Sequence, residues 1–272
     1  MLLVTGVSGA LGSLVADRLA GRPDVALGTR AGLPGTRRLD FDAPGTLPEA
    51  FAGVETLLLV SAGYGEDDTV VARHEAAISA AEAAGVRHVV YTSLSGDGDH
   101  LAYALAHRWT ERRLRSSASV DWTILRNGLY AEFLTWIAAP DAENRITGPL
   151  GGGRLAAVAR ADLADIAVSV ATAPAAHRNR VYELVGERAL GGADLAEALG
   201  ATYAPGTLAD ARAAIAASGA VPFQVPMLAS TYSAIAHGFM DGTGVASDLR
   251  TLLGGREPLD ALDVYVKAVR EG

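Results

Sequence analysis

Leu2-Leu3-Val4-Thr5-Gly6-Val7-Ser8-Gly9-Ala10-Leu11-Gly12 decides how the rest of the chain is read. Leu2–Val4 is a short apolar run, and Leu14, Val15 and Leu19 follow Gly12 at helical spacing. The stretch therefore predicts a strand, a glycine loop and a helix. A helix N-terminus presents unpaired backbone N–H groups and the positive end of its dipole, and together these hold an anion. Gly6 permits the tight turn, Gly9 lets the backbone approach a pyrophosphate, and Gly12 lets the helix lie against the strand. Ser8, Ala10 and Leu11 complete the expected phosphate loop. The spacing is G-x-x-G-x-x-G rather than G-x-G-x-x-G, and it stands in the strand–helix context the motif requires. The competing reading is an ordinary glycine-rich turn.

Working outward, strands are expected at Val25–Thr29, Arg37–Asp40, Glu55–Val60, Val86–Thr92 and Asp121–Arg126. Helical patterns lie between them at Leu47–Phe51, Asp67–Ala84 and Leu101–Ser116, with Gly85 at the C′ position of the second. Glu55–Val60 is apolar throughout, as a strand buried on both faces of a parallel sheet would be. This rhythm predicts an α/β fold, a Rossmann-type doubly wound parallel sheet. It breaks after Gly128. Pro140–Gly153 reads as loop with a short hairpin, Asp162–Ala173 as a helix with Asp162 as its N-cap, and Val181–Val185 as one more strand. From Gly191 onward the pattern is short helices, ending in a helix over Leu259–Arg270. That helix would bury Leu259, Leu262, Val266 and Val269 and expose Lys267. The expected organisation is a dinucleotide-binding lobe of residues 1–128 with 154–186, and a small, mostly helical C-terminal substrate lobe of 129–153 with 187–272.

Composition narrows the function classes. The chain has 272 residues, no cysteine and a formal net charge of −8. The absence of cysteine removes disulfides and thiolate metal sites, and no metal is expected. Without a basic run there is no nucleic-acid footprint. No stretch approaches the roughly 18 apolar residues of a membrane span. The first strand begins at Met1, so a cytoplasmic protein is expected. Nearly all basic residues are arginine, and Lys267 is the single lysine.

In an open α/β sheet, ligands are met by the loops at the C-terminal ends of strands. After the second strand stands Arg30, where an NAD-specific chain usually carries an acid. An arginine there suits a 2′-phosphate through a charge-assisted contact, so NADPH is the expected cofactor. The alternative is a solvated surface arginine. Asp40 and Phe41, after the third strand, are candidates to bracket an adenine. Ser61 and Ala62, after the fourth, are candidates to lie along the nicotinamide ribose. Ordinary strand-end chemistry is the alternative for these four.

A short-chain dehydrogenase acting on alcohols would place Tyr-x-x-x-Lys on the helix after the fifth strand, the lysine lowering the tyrosine's pKa. This chain has no lysine there. Tyr103, His107 and Glu111 recur at intervals of four instead. A histidine can replace lysine as donor to the nicotinamide ribose. The alternatives are a His107–Glu111 surface pair and a packing role for Tyr103. Reducing a plain carbonyl leaves an alkoxide that needs a strong proton donor. Reducing a quinone leaves a phenolate of pKa about 10, which needs little acid help. A weak acid/base set therefore fits a conjugated, easily reduced acceptor, with hydride positioning supplying most of the catalysis.

These residues carry a likeness. The chain resembles the NmrA-like atypical short-chain dehydrogenases and, within them, the type 2 NAD(P)H:quinone oxidoreductases. The matching stretches are TGVSGALG at 5–12, Arg30, Asp40-Phe41, GVETLLLVS at 53–61, AAGVRHVVYTSLS at 83–95 and His107-x-x-Thr110-Glu111. TILRNGLYAE at 123–132, RADLADIA at 160–167, VYELVG at 181–186 and the tail around Gly238, Asp248, Leu249, Leu253 and Gly255-Arg256-Glu257-Pro258 match too. The resemblance implies an NADPH-binding lobe with a small C-terminal lobe and a quinone bound in the cleft between them, lined by Arg126-Asn127-Gly128-Leu129-Tyr130. Asn127 would hydrogen-bond a quinone oxygen and Tyr130 would stack on or donate to the ring. Asn127-Gly128 is also good turn chemistry. Gly63-Tyr64-Gly65 and Glu66-Asp67-Asp68 depart from the family pattern, and Tyr103 is foreign to it. These departures leave open a polyketide-like or triarylmethane-like aromatic substrate. Two further readings stand beside a quinone reductase: a non-catalytic NAD(P) sensor, and a carbonyl or imine reductase using Tyr103 and His107.

Overall fold

The computed structural model describes residues 1–96 and 100–271. Its first part alternates strands and helices: β1 (Leu2–Val4), α1 (Ala10–Arg18), β2 (Val25–Thr29), β3 (Arg37–Arg38), α2 (Leu47–Ala50), β4 (Thr56–Leu59), α3 (Asp67–Ala83), β5 (His88–Leu94), α4 (Ala104–Arg115) and β6 (Asp121–Asn127). There follow α5 (Leu134–Ile137), β7 (Arg145–Ile146), β8 (Arg154–Leu155), α6 (Arg160–Thr172) and β9 (Arg180–Leu184). The last part comprises β10 (Leu190–Gly191), α7 (Gly192–Leu199), β11 (Thr202–Tyr203), α8 (Leu208–Ala217), α9 (Gln224–Ala236), α10 (Leu249–Leu252) and α11 (Ala261–Glu271).

Seven strands form one sheet in the order β3-β2-β1-β4-β5-β6-β9. The pairs β1–β2, β1–β4, β2–β3 and β4–β5 are parallel. The winding reverses between β1 and β4, and the loops after these two strands are where such a sheet takes its ligand. The central strands form because both their faces are buried: Leu57, Leu58 and Leu59 of β4 are fully buried, and every residue of β5 is buried. One core joins Leu3, Phe51, Leu57, Ile78, Tyr91 and Leu114. Alanines keep α3 close to it, with Ala77 and Ala81 buried, and Gly85 ends that helix at φ +73°. The Rossmann-type α/β expectation holds.

Chain contacts divide the protein into two compact units. The first is Met1–Leu94, Leu105–Arg126 and Leu163–Tyr182; the second is Ser95–Ala104, Asn127–Asp162 and Glu183–Gly272. The second is mostly helical, with two small sheets, β10 with β8 and β11 with β7. Among the described residues, no helix is long and apolar enough to cross a membrane.

Three local expectations are corrected. Residues 140–153 hold no hairpin: β7 pairs in parallel with β11 and β8 antiparallel with β10, each partner lying far along the chain. Asp162 is not an N-cap. It lies inside α6, fully buried, and accepts hydrogen bonds from Arg256 Nη2 (2.7 Å) and the Leu259 backbone N–H (2.7 Å). The last helix anchors on a residue outside the expected stripe. Tyr265 is fully buried and its hydroxyl donates to the Ala138 carbonyl at 2.6 Å, whereas Leu259 is 48% exposed. Lys267 lies on the exposed side as expected, 3.9 Å from Glu271.

Candidate active site

β1 ends at Val4, and Thr5 is buried with its hydroxyl oxygen accepting the Val60 N–H at 3.1 Å, which ties the glycine loop to the end of β4. Gly6 turns at φ +65°, a conformation that favours glycine. A side-chain carbon on Gly12 would sit 2.1 Å from the Gly6 carbonyl oxygen, so the closeness of α1 to the loop requires glycine there. Gly9 N–H donates to Gly6 O at 2.9 Å, and the first helical bond runs from Ser13 N–H to Gly9 O at 2.8 Å. The N–H groups of Ala10, Leu11 and Gly12 therefore have no acceptor among the described residues. Gly9 offers no capping side chain, and the first turn carries no acid. Ser8 is exposed beside them. A pyrophosphate fits this cradle: open donors, a positive dipole end and no competing carboxylate.

The other strand ends are braced. Arg30 is exposed directly after β2, and its charge helps hold the Asp42 carboxyl low. Thr29 Oγ1 meets Thr36 Oγ1 at 3.1 Å, closing the loop that Arg30 begins. Asp40 Oδ1 accepts the Asp42 N–H at 3.1 Å, and Phe41 is half-buried against the sheet core. Arg73 on α3 was invisible in the sequence pattern. It donates to both carboxylate oxygens of Asp42, each at 2.7 Å, and to the Tyr64 carbonyl at 2.7 Å, so it joins the loops after β3 and β4. This double hydrogen bond holds Asp42 below the usual carboxylate range.

His74, also on α3, organises Ser61 and Ala62. Its Nε2 lies 3.0 Å from the Ala62 nitrogen. A backbone N–H can only donate, so Nε2 is the acceptor and Nδ1 carries the proton. Nδ1–H then donates to Thr110 Oγ1 at 2.8 Å, and Thr110 donates to the Ala106 carbonyl at 2.7 Å. Ser61 N–H donates to Thr92 Oγ1 at 2.9 Å. His74 is fully buried, and burial, with smaller pushes from His107 and Arg73, lowers its pKa to about 3. The imidazole stays neutral and keeps its acceptor nitrogen.

His107 meets the hydroxyl of Tyr91 through Nδ1 at 2.8 Å. Burial lowers its pKa to about 4, aided by Arg108 and opposed by Glu111. Burial also holds the Tyr91 phenol protonated. The alternative for His107, a surface pair with Glu111, does not form. Glu111 instead accepts from Ser93 Oγ (2.7 Å) and from Arg126 Nε (2.9 Å) and Nη2 (2.7 Å), and pairs with Arg108. Burial raises its pKa, but hydrogen bonds from Arg126 and Ser93 and the Arg108 charge outweigh this and keep it ionised. The Arg126 guanidinium is thus a buttress between β6 and α4.

In the second unit, Asn127 is 6% exposed and its backbone carbonyl accepts the Ser95 N–H at 2.9 Å. Its Oδ1 is buried with no hydrogen-bond partner, an orphaned acceptor. The Tyr130 ring lies under the Arg160 guanidinium, 4.7 Å from its centroid, and burial raises the phenol pKa. Tyr103 meets Thr231 Oγ1 at 3.3 Å, and burial pushes its pKa up to about 12. Tyr103 and His107 therefore take different partners, despite their spacing of four. A pocket of about 590 Å³ opens one residue beyond Asn127, lined by Gly128 and Leu129, by Ser95 and His100, and by the Gly238–Val245 loop. Its lining comes from segments more than a hundred residues apart, so no motif announces it; Gly238-Phe-Met-Asp-Gly-Thr-Gly244 reads only as loop.

This geometry and the comparisons define a class. The family model described as NAD(P)H-binding matches residues 6–174, and the chain belongs to this NAD(P)H-binding, NmrA-like family. It is an NAD(P)H-dependent oxidoreductase of the quinone oxidoreductase 2-like type. It is 35% identical over 203 residues to quinone oxidoreductase 2 of Escherichia coli strain K12, covering 70% of each chain. It is 29% identical over 244 residues to the NAD(P)H azoreductase of Xenophilus azovorans, covering 80% of this chain and 82% of that one. The E. coli quinone oxidoreductase 2 structure complexed with NADPH aligns at a TM-score of 0.86 and 30% identity, over 98% of this chain and 99% of that one. The Citrobacter sp. triphenylmethane reductase complexed with NADP(H) aligns at 0.83 and 26% identity, over 97% and 99%.

Proposed function

We propose that the protein reduces a quinone or related conjugated aromatic acceptor with NADPH. The observation that carries this reading is Asn127, an amide 6% exposed and one residue before a pocket with an apolar wall, in a chain whose only lysine is Lys267. Relatives acting on quinones, azo compounds and triphenylmethanes support an aromatic acceptor.

When bound, NADPH supplies the hydride. The N–H groups of Ala10, Leu11 and Gly12 hold its pyrophosphate, and Arg30 pairs with its 2′-phosphate. Asp40 and Phe41 border the adenine. Ser61 and Ala62, held by His74, border the nicotinamide ribose. Tyr91 donates to His107 Nδ1, which leaves the His107 Nε2–H as a neutral donor to a ribose hydroxyl. Asn127 donates an amide N–H to the acceptor oxygen on which negative charge develops, and Tyr130 lies against the ring. The resulting phenolate has a pKa of about 10 and takes its second proton from water. No strong side-chain acid is needed, and His107, neutral above about pH 5, contributes no protonation step near neutral pH.

The test is anaerobic NADPH oxidation with a panel of small quinones, on the purified protein and on Asn127→Ala. Turnover that falls in the variant, with NADPH preferred over NADH, is expected. Tight NADPH binding without turnover of any aromatic acceptor overturns the proposal.

A further inference from the structure

The pocket of about 590 Å³ is walled mainly by apolar side chains, Leu129, Val185, Phe239 and Met240 among them. Its polar groups are few: hydroxyls of Ser95 and Thr243, the imidazole of His100 and the carboxylate of Asp241. No arginine or lysine lines it among the described residues, in a chain that carries 23 of them. Asp241 Oδ1 accepts the Thr243 backbone N–H at 2.8 Å, an Asx turn that fixes the side chain at the pocket wall. A second carboxylate stands behind that wall, where Glu183 Oε2 accepts the Gly96 backbone N–H at 3.1 Å. Apolar walls screen charge less than open water does, so a charged group entering the pocket feels Asp241 strongly.

We propose that Asp241 selects the acceptor by charge: the pocket admits neutral and cationic conjugated rings and turns away rings bearing a sulfonate or carboxylate. This rests on the reading that the aromatic acceptor enters this pocket. Like-charge exclusion is an efficient device for specificity, because an anionic substituent would meet the Asp241 carboxylate with no arginine or lysine in the lining to offset it.

The test compares 1,4-naphthoquinone with its sulfonated and trimethylammonium-bearing derivatives. For the unaltered protein, kcat/KM for the sulfonate should be lower than for the other two by about tenfold or more. Asp241→Asn keeps an oxygen for the Thr243 N–H and should narrow that gap to about twofold. Asp263→Asn, an exposed acid on α11, should leave the gap unchanged. Equal handling of the three quinones, or an unaltered gap in Asp241→Asn, overturns the proposal. Equilibrium binding of two non-reducible probes, trimethyl(naphthyl)ammonium and naphthalenesulfonate, separates this from the reductase reading. If no quinone turns over, yet the ammonium binds more tightly and the preference is lost in Asp241→Asn, charge selection stands and the reductase reading falls. Equal binding of both ions sinks charge selection even where quinones turn over.

Discussion

The dinucleotide loop of residues 5–12 and the pocket bounded by Gly128 and the Gly238–Val245 loop recognise with different atoms. The loop uses backbone: three N–H groups at the start of α1, a turn at Gly6 and a contact that only Gly12 allows. The pocket presents side chains instead: Ser95, His100, Asp241 and Thr243, set on an apolar wall one residue beyond Asn127. Backbone recognition ties function to a local run of residue types, and side-chain recognition does not. The first region is therefore intolerant of added volume but indifferent to most side chains. The second should accept added volume and respond sharply to single functional groups.

Gly12→Ala tests the intolerant side and carries the largest expected effect. A methyl placed 2.1 Å from the Gly6 oxygen must push α1 off the loop. NADPH affinity, read by fluorescence titration, should fall by about a hundredfold or more. A normal affinity would break the contrast at its base. Asn127→Ala comes next: kcat/KM for the acceptor should fall by about thirtyfold, with NADPH affinity within about twofold of normal. An effect on cofactor binding alone would move Asn127 to the other region. Arg30→Ala sharpens a side-chain element of the cofactor region, and the preference for NADPH over NADH should drop about tenfold. Tyr103→Phe should change kcat by less than about twofold, because its hydroxyl is engaged with Thr231. A large loss there would revive a Tyr103–His107 proton relay.

A stability measurement probes the braces of the first unit. His74, His88 and His107 have pKa values lowered to about 3, 4 and 4, chiefly by burial. Below the unfolded value of about 6.5 the unfolded chain binds protons that the native chain refuses. Stability should thus be full above about pH 6.5 and fall on acidification, with a slope approaching about 1.4 kcal/mol per pH unit for each such histidine. Urea unfolding between neutral and mildly acidic pH would show it. A flat profile would mean that these imidazoles are protonated in the native state.

The sheet and the glycine loop were legible because they rest on short-range pattern. Leu2–Gly12 and Glu55–Val60 declare themselves in consecutive residues, and strand bounds shifted by only a residue or two. His74 and Arg73 were not legible: an alanine-rich helix gives no sign that one imidazole will reach Ala62, or one guanidinium Asp42 and Tyr64. Glu111 was seen as a partner for His107 from helical spacing, but stronger donors from β5 and β6 claimed it. Asp162 carries the residue type of a cap but serves the distant Arg256 and Leu259. Nothing local forecasts that β7 will pair with β11 or that Asp241 will face a pocket. These are long-range choices, made by packing rather than by propensity.

The lone lysine has a practical consequence. Lys267 lies on the outer side of α11 with its side chain 73% exposed, while the arginines carry guanidinium groups inert to amine-directed acylating reagents. Amine-directed labelling therefore has one side-chain target, and a fluorophore, a crosslinker or a surface tether can be installed there without mutagenesis.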